Sequence, residues 1–495
     1  MNVRCGSWML LLTVLAGCGP SPQFNVTSEL GPDLSVIGKS GPTPFIAFLE
    51  FSGPNLADVT SVTYTLEPRA GSASRPVKVT YSLAALQRRG AVTETGLSLP
   101  VFGLYPGSAN QATIEFELGD GSSQVVRTQI ATGPYTDDQS VYDHPNILKS
   151  REPGSSLGFD FFAMKSGRTS VVVVDTDGEV RWVGSGVPSF ATVFTDNGFV
   201  VGSPSSGQLQ RLELDGTMST SQVADPAVVD FSHNIDPGKV GLLAELDVTG
   251  ETDATVEEIT PTGDVLGNWR MGDLLSAYMA SQGDDPTAFV RHGQDWFHLN
   301  AATYDPRDDT LIVSSRENFL IKIDYATGQP IWILGDPTKY WYSFPSLRAK
   351  ALTLAPGGLY PVGQHATSIT ADGLLMVFND GTASLNQPTG QPAGDARTYS
   401  TVSAYAIDPG SMTAREVWRF EHQPELYSQF CSSAYQTGQS LLVDYAQSDD
   451  GRSARILGLD TNRQVIFEIA YANANGGCNT SWNAVPVPLD ALRFE

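Results

Sequence analysis

The sequence predicts an all-β protein, in which a six-bladed β-propeller follows an N-terminal β-sandwich domain. Three observations support this prediction. Short strand-like runs recur along nearly the whole chain, helical periodicity is almost absent, and one four-strand pattern repeats six times after about residue 150. The 48 glycines and 31 prolines of this 495-residue chain are typical of many turns between short strands.

The first 18 residues are interpreted as a targeting signal. A short apolar run at 8–15 ends in the sequence Leu-Ala-Gly-Cys at 15–18, which resembles a bacterial lipobox. The run is far shorter than the ~20 residues of a membrane-spanning helix. We therefore expect residues 1–18 to direct export and Cys18 to carry lipid that anchors the protein to the cell envelope, in the periplasm or outer membrane. An ordinary signal peptide with a chance cysteine is the alternative.

Residues 19–30 form a polar linker, and residues 31–135 are predicted to form the β-sandwich. Apolar and alternating runs separated by turn residues indicate its strands. They are 43–51, 59–66, 77–82, 96–101, 112–118 and 123–130.

The propeller is predicted to occupy residues 145–495. One unit recurs: an apolar strand, a turn with Asp or Gly, and a second strand that often carries Trp or Phe. Its copies lie at 171–182, 212–216, 256–269, 321–332, 404–418 and 456–467. A second two-stranded unit precedes most copies, which gives four antiparallel strands per blade. An array of sandwiches would not repeat this pattern, and the best helix candidate is 274–282, within an insertion.

The charge balance excludes one class of partner. The chain has 54 acidic and 30 basic residues and a formal net charge of -24. Nucleic-acid binding requires Lys and Arg to neutralise phosphates, so we expect no nucleic-acid partner. An anionic substrate would need a local cationic site.

Three histidines occupy comparable positions in consecutive blades. His233, His298 and His365 open the first strands of blades 3, 4 and 5, and first strands line the central channel of a propeller. The second strand of a blade runs back to the rim where the first began. Arg316, at the end of the second strand of blade 4, should therefore share a rim with His298. The sequence predicts a cationic pocket at one channel mouth.

This cluster suits an anion better than a metal ion. Three histidines could form a zinc site, but Arg316 would repel a cation and offers a planar fork for an oxyanion. We therefore expect neither a metal nor a cofactor. The other histidines, His144, His292 and His422, are interpreted as surface or loop residues.

Two cysteines, Cys431 and Cys478, remain in the body of the chain. In an exported protein they are expected to pair in a disulfide, with two buried thiols as the alternative.

Several segments resemble the bacterial arylsulfate sulfotransferases. The most specific is the run from Asp295 to Arg316, followed by 321–324 and 327–335. The segments 364–365, 373–381 and 99–110 also resemble that family, so the resemblance covers nearly the whole mature chain.

The resemblance implies an exported six-bladed propeller that moves a sulfuryl group from an aryl sulfate to a phenol without a nucleotide donor. A histidine is transiently sulfurylated, and His365 matches it by its Gln-His context. His298 matches a second active-site histidine, Arg316 the active-site arginine and Asn300 a substrate-binding amide. His233 matches a third histidine, although the family often has a His-His pair where this chain has Ser-His. Ping-pong kinetics are expected.

Two other functions stay open at this stage. One is an aryl sulfate ester hydrolase that uses the same histidine, and the other is a non-catalytic propeller lipoprotein that binds a ligand or partner. The oligomeric state is also open, with a homodimer as one option. The aromatic residues at 340–344 could stack on an aryl ring or pack within their own insertion.

Overall fold

The computed structural model describes residues 34–495 except 54, 55, 57, 95, 474 and 475. The predicted signal segment, Cys18 and the whole predicted linker at 19–30 lie outside the described residues. Among the described residues, no helix is long and apolar enough to cross a membrane.

Two β-sheets form the N-terminal domain. The three-stranded sheet consists of Ser35–Ser40, Ile46–Ser52 and Gly96–Phe102. The five-stranded sheet consists of Leu492–Phe494, Val77–Ser82, Val59–Leu66, Ala109–Leu118 and Ser123–Ala131, in that order. Alternate residues of these strands are buried, and Phe51 of one sheet packs edge-on against Phe116 of the other with ring centroids 5.0 Å apart. This is the packing of a β-sandwich.

Six further sheets follow, and each contains four antiparallel strands. We number them as blades 1–6. From the channel outward, blade 1 has Asn483–Pro486, Phe161–Lys165, Val172–Asp175 and Val180–Val183. Blade 2 has Thr192–Thr195, Gly198–Gly202, Gln208–Glu213 and Met218–Gln222. Blade 3 has Val228–Pro237, Leu242–Val248, Glu251–Ile259 and Val265–Arg270.

Blades 4–6 continue the same order. Blade 4 has Leu299–Asp305, Thr310–Ser315, Leu320–Asp324 and Pro330–Leu334. Blade 5 has Gln364–Ile369, Leu375–Asn379, Thr401–Asp408, Thr413–Phe420 and the short parallel strand Thr353–Leu354. Blade 6 has Ser433–Thr437, Ser440–Gln447, Ser453–Leu459, Val465–Ala472 and Asn146–Lys149. The predicted β-propeller with an N-terminal β-sandwich is confirmed, and all six predicted copies fall on the outer strands of these blades.

Strands from the two ends of the propeller chain pair with strands that are distant in sequence. The C-terminal strand Asn483–Pro486 pairs with Phe161–Lys165 as the innermost strand of blade 1. The early strand Asn146–Lys149 adds to the outside of blade 6. The last strand, Leu492–Phe494, leaves the propeller and pairs in parallel with Val77–Ser82 of the sandwich. The ring is therefore closed by strands that are far apart in sequence.

Outer-strand tryptophans join neighbouring blades. Trp182 of blade 1 donates its indole N–H to the carbonyl of Leu214 in blade 2, at 3.0 Å. Trp269 of blade 3 makes the equivalent 3.1 Å bond to the carbonyl of Tyr325 in blade 4. A buried indole needs a partner for its N–H. This explains why the repeated unit carries an aromatic residue in its second strand.

The helices are few and short. The longest is Met271–Ser281, which begins three residues before the predicted segment and ends one residue before its end. The other helices among the described residues are Leu83–Arg88 and Pro345–Arg348, with 3₁₀ turns at Pro286–Ala288 and Tyr340–Ser343. Ser448–Gly451 is a turn with left-handed backbone at Asp449 and Asp450.

Candidate active site

His298 and His365 lie at the start of the first strands of blades 4 and 5, as predicted, whereas His233 lies in the middle of the strand Val228–Pro237 and does not open it. The regular ladder is interrupted at or beside all three positions. In blade 3 the register shifts on either side of His233, between Phe231 and Ile235. His298 directly precedes its strand with a φ of 50°, and Ala366, next to His365, has a φ of 47°. Such left-handed backbone is strained for residues with a Cβ and is concentrated at functional sites. The irregularities redirect the side chains away from ordinary strand positions.

His233 and His298 form a directly hydrogen-bonded pair. Their Nε2 atoms are 3.2 Å apart, and their rings meet edge to face. The other ring nitrogens face carboxylates. Asp253 Oδ1 lies 3.5 Å from His233 Nδ1, and Asp253 Oδ2 lies 3.3 Å from His298 Nδ1. Asp295 Oδ2 lies 2.8 Å from His298 Nδ1, which therefore carries a proton that it donates to a carboxylate.

Burial and neighbouring charges shift the pKa values of His298 and Asp253. Burial lowers the pKa of His298 below its ordinary value and outweighs the opposite effect of Asp295. Burial alone would raise the pKa of Asp253, but His233 and His298 together lower it below the usual carboxyl range. Asp253 is thus an ionised group within 3.5 Å of both imidazoles, and the shared Nε2–Nε2 contact can hold or release one proton.

His365 is buried and fixed through one nitrogen. Its Nδ1 lies 3.2 Å from the Gly363 carbonyl and 2.6 Å from Asp380 Oδ2. Because a carbonyl oxygen only accepts, Nδ1 carries the proton and Nε2 keeps its lone pair. Among the described residues, no hydrogen bond occupies Nε2. Burial lowers the pKa of His365 well below its ordinary value, with Arg316 and His233 adding to the effect.

Asp380 is fully buried behind His365. Burial raises the pKa of its carboxyl well above the usual range, although Arg316 acts in the opposite direction. Positive charge that develops on His365 would offset this burial penalty, because the two groups lie 2.6 Å apart. A positive charge on the imidazole would therefore favour the ionised form of this carboxyl.

Arg316 lies on the same rim, as strand direction predicts. Its backbone N–H donates to the His298 carbonyl at 3.0 Å. Its Nε and Nη2 donate to Glu317 Oε1, and Glu317 Oε2 accepts from the backbone N–H groups of Leu385 and Asn386. In the described part of the chain, Nη1 has no hydrogen-bond partner. The guanidinium is therefore fixed on one edge and free on the other.

Asn300 supports the backbone beside His365. Its Nδ2 donates to the Gln364 carbonyl at 2.8 Å, and its Oδ1 is buried with no partner among the described residues. This contact joins blade 4 to blade 5 immediately before His365. The expected contact between Asn300 and substrate stays a prediction.

Aromatic side chains from blades 6 and 1 border the same site. Trp482 lies with its ring 5.2 Å from the ring of His233, and Phe190 stacks on Trp482 at 4.2 Å. Phe430 lies 5.5 Å from Arg316 Cζ, measured to its ring centroid. The predicted pair Cys431 and Cys478 forms a disulfide that packs against Phe430 and Trp482.

The aromatic residues at 340–344 pack within their own insertion. Trp341 is fully buried, donates its indole N–H to the Asp336 carbonyl at 3.0 Å and packs against Phe319 of blade 4. Tyr340 packs edge-on against Phe344. These contacts favour the packing interpretation over stacking on a substrate ring.

The remaining histidines lie away from this site. His144 is exposed beside Asp143, and His292 is half-exposed beside Glu251. His422 lies in a loop, as expected, but it is buried, and its Nδ1 lies 2.7 Å from the Pro424 carbonyl.

One part of the site could geometrically hold a metal ion. Ligand atoms of His233, Asp253 and His298 lie within 4.8 Å of one another. The positive charge of Arg316 acts on this cluster, because Arg316 lowers the pKa of His298. It opposes a bound cation and favours an anion. The expectation of no metal stays a prediction.

Sequence reasoning missed the three carboxylates that contact the histidines, Asp253, Asp295 and Asp380. Asp380 follows the second strand of blade 5 just as Arg316 follows the second strand of blade 4. The rule of strand direction that located Arg316 could therefore have located Asp380. Asp253 lies near the start of a strand and Asp295 lies in a loop. Neither position is marked by the repeated sequence pattern of the blades.

Comparison with known proteins identifies relatives of this chain. The family model described as Arylsulfotransferase (ASST) matches residues 147–482. The arylsulfate sulfotransferase AssT of Escherichia coli O6:H1 is 27% identical over 246 residues, and that of Lelliottia amnigena is 26% identical over the same length. Each alignment covers 46% of this chain and 36% of the relative, so this chain spans about a third of the length of the curated relatives that it matches.

A solved β-propeller domain, that of Cps50 (Swd1) from Myceliophteria thermophila, is similar with a TM-score of 0.34 and 14% identity, over 65% of this chain and 85% of that one. Because the family model matches more than half of its residues, the chain belongs to the arylsulfotransferase family.

Proposed function

We propose that this protein is an aryl-sulfate sulfotransferase that transfers a sulfuryl group to a phenol through a sulfurylated His365, without a nucleotide donor. The observation that carries this proposal is the state of His365. Its Nδ1 is hydrogen-bonded to the Gly363 carbonyl and lies 2.6 Å from Asp380 Oδ2, its Nε2 has no hydrogen-bond partner among the described residues, and Arg316 lies close enough to lower its pKa. A neutral, oriented imidazole beside a cation suits attack on an anionic ester.

In the first half-reaction, the Nε2 lone pair of His365 attacks the sulfur of the aryl sulfate. The N–S bond forms while the S–O bond to the aryl group breaks, and the electron pair of that bond leaves on the phenolate oxygen. The imidazole, which keeps its Nδ1 proton, becomes cationic. Asp380 Oδ2 lies 2.6 Å from Nδ1, so this positive charge favours ionisation of the buried carboxyl, and the ionised carboxylate would then stabilise the cationic imidazole.

Arg316 binds the sulfuryl oxygens, which carry negative charge throughout the transfer. Its Nη1 is free among the described residues, and Glu317 fixes the plane of the guanidinium before substrate arrives. Preorganised donors need no reorientation in the transition state, and one such donor contributes roughly 3 kcal/mol.

The pair His233 and His298 supplies the proton for the leaving phenolate. In the second half-reaction the acceptor phenol returns a proton to this pair, and its oxygen attacks the sulfur of sulfuryl-His365. The N–S bond then breaks, and the neutral imidazole is restored. The Nε2–Nε2 separation of 3.2 Å lets one proton pass between the two rings, and Asp253 stabilises the protonated form.

Trp482 and Phe430 are the aromatic surfaces that would receive the aryl ring. Both are partly exposed, and Trp482 lies beside His233 while Phe430 lies beside Arg316. Offset or edge-on contacts with a phenyl ring contribute about 1 kcal/mol beyond area burial. Such contacts would bind many phenols with little discrimination, because they recognise the ring and not its substituents.

The proposal is tested by steady-state kinetics of the full chain, with the aryl sulfate donor and the phenol acceptor both varied. A ping-pong transferase gives parallel double-reciprocal lines, and it forms the acceptor's sulfate ester in proportion to donor consumed. His365→Ala should abolish turnover, whereas the exposed His144→Ala serves as a matched control and should not. A turnover rate that is independent of phenol concentration, with release of inorganic sulfate, would instead establish a hydrolase. No turnover of any aryl sulfate would support a non-catalytic binding protein.

We also propose that Cys18 is lipidated and anchors the exported protein to the cell envelope. The support is the lipobox-like sequence at 15–18. Metabolic labelling with an alkyne-tagged fatty acid should label the full chain but not Cys18→Ser. Equal labelling of both would contradict the proposal.

A further inference from the structure

A second cluster of ligand atoms lies beside blade 3 and shares no residue with the candidate active site. Glu251 begins the third strand of the blade, Asp273 lies in the first turn of the helix Met271–Ser281, and His292 follows the 3₁₀ turn. One ligand atom from each lies within 4.8 Å of the other two. We propose that these three residues bind a divalent cation of the zinc class.

The carboxylate of Glu251 points to a missing ligand. Its side chain is buried, with 8% of the residue exposed, and its Oε1 contacts His292 Nδ1. Its Oε2 is also buried and has no hydrogen-bond partner among the described residues. A buried carboxylate oxygen without a partner is costly. A cation between Glu251, His292 and Asp273 would satisfy it.

Gly272 provides the space in which these groups meet. A Cβ at this position would lie 2.8 Å from Glu251 Oε1, 3.1 Å from Glu251 Oε2 and 2.9 Å from His292 Cε1. Glycine is unfavourable inside a helix, so its presence in this first turn needs a reason. The close approach of both ligand side chains to the helix backbone is that reason.

Neighbouring positive charges are directed elsewhere. Arg270 Nη2 lies 3.2 Å from Asp225 Oδ2, and Arg291 donates to Gln294 and to the Asn386 carbonyl. The partial positive charge of the helix N-terminus is outweighed by two carboxylates. One imidazole nitrogen and two carboxylate oxygens are a ligand set that zinc accepts, with water at the open position.

The position of this site gives it a structural consequence. Glu251 lies two residues before Asp253, and His292 lies three residues before Asp295. Both aspartates contact His298 Nδ1, at 3.3 Å and 2.8 Å respectively. A cation that joins Glu251 to His292 would hold together the two segments that orient His298.

Isothermal titration of the full chain, first treated with chelator and then with zinc chloride, tests the proposal. We expect one zinc ion to bind with a rise in the thermal midpoint. Glu251→Gln and His292→Ala should abolish this binding. Gly272→Ala keeps all three ligands and favours the helix, and it should weaken affinity roughly tenfold or more by filling the space. His144→Ala, in an exposed His–Asp pair without a third ligand, is the matched control and should bind as wild type does.

Circular dichroism establishes that each variant is folded before its affinity is compared. Absence of saturable zinc binding would overturn the proposal, as would binding that persists in folded Glu251→Gln and His292→Ala. Binding that is lost in His298→Ala but retained in His292→Ala would place the ion among His233, Asp253 and His298, and it would overturn the proposal as well.

Discussion

Arg316→Lys separates charge from hydrogen-bond geometry at the proposed sulfuryl site. The guanidinium is fixed by two bonds to Glu317, with Nη1 free among the described residues. Lysine keeps the positive charge that lowers the pKa of His365, but it cannot present a rigid planar fork. We expect the loss of one preorganised donor, which corresponds to ~3 kcal/mol and a 10²- to 10³-fold slower first half-reaction.

The substitution should leave the fold intact. When the arginine is replaced, Glu317 Oε2 still accepts hydrogen bonds from the backbone N–H groups of Leu385 and Asn386, at 2.7 Å and 2.8 Å. Arg316→Met, which also removes the charge, should slow the reaction further, and it should raise the pKa of His365 because a nearby positive charge is gone.

Stopped-flow measurement of phenol release in a single turnover is the direct assay, because it isolates the first half-reaction. The matched control is Arg307→Lys. Arg307 binds Asp305 through Nε and Nη2, both at 2.8 Å, beyond the far end of the first strand of blade 4. We expect its rate to equal that of wild type. A single-turnover rate for Arg316→Lys within about threefold of wild type would refute the reasoning, since it would assign less than ~1 kcal/mol to the donor.

Three further predictions concern pH and covalent structure. Because His365 has a lowered pKa and reacts in its neutral form, phenol release should stay constant as pH falls through ~6.5 and decline only below it; an acid limb centred at ~6.5 would contradict this. Burial raises the pKa of Asp444 to about 8, so the folded state retains a proton that the unfolded chain releases at ~3.9. Stability is therefore lost as pH rises between these values, by ~1.4 kcal/mol per pH unit. Asp444→Asn should flatten the pH dependence of the urea midpoint, and an unchanged slope would argue against it. The disulfide between Cys431 and Cys478 spans 47 residues and should contribute about 4 kcal/mol; a double Cys→Ser variant with an unchanged thermal midpoint would refute this.

The fold was predictable where it is encoded locally. The outer strands of each blade repeat as an apolar strand, a turn and a second strand, and the tryptophans at 182 and 269 bond equivalent carbonyls of the next blade. The pairings of the terminal strands were not predictable in this way. Asn483–Pro486 pairs with Phe161–Lys165, and Leu492–Phe494 pairs with the sandwich. Such pairings join strands from distant parts of the chain, and no local pattern records them.

The site was predictable to the extent that it follows blade symmetry. His233, His298 and His365 belong to or directly precede the first strands of successive blades, and strand direction adds Arg316. Asp380 obeys the same rule, but an Asn-Asp-Gly sequence after a strand also indicates an ordinary turn.

The carboxylates around His298 depend on three-dimensional detail. Asp253 has a positive φ of 46°, and His298, which contacts Asp295, has a φ of 50°. Backbone of this kind is imposed by the surrounding structure and carries no periodic signal.

The central claim is that His365 carries the sulfuryl group between the two half-reactions. The most direct measurement is mass spectrometry of the full chain after incubation with an aryl sulfate in the absence of phenol, with peptide mapping of the modified residue. We predict one sulfuryl adduct, located on His365 and discharged when phenol is added. An adduct on another residue, or phenol-dependent turnover in His365→Ala, would contradict the account.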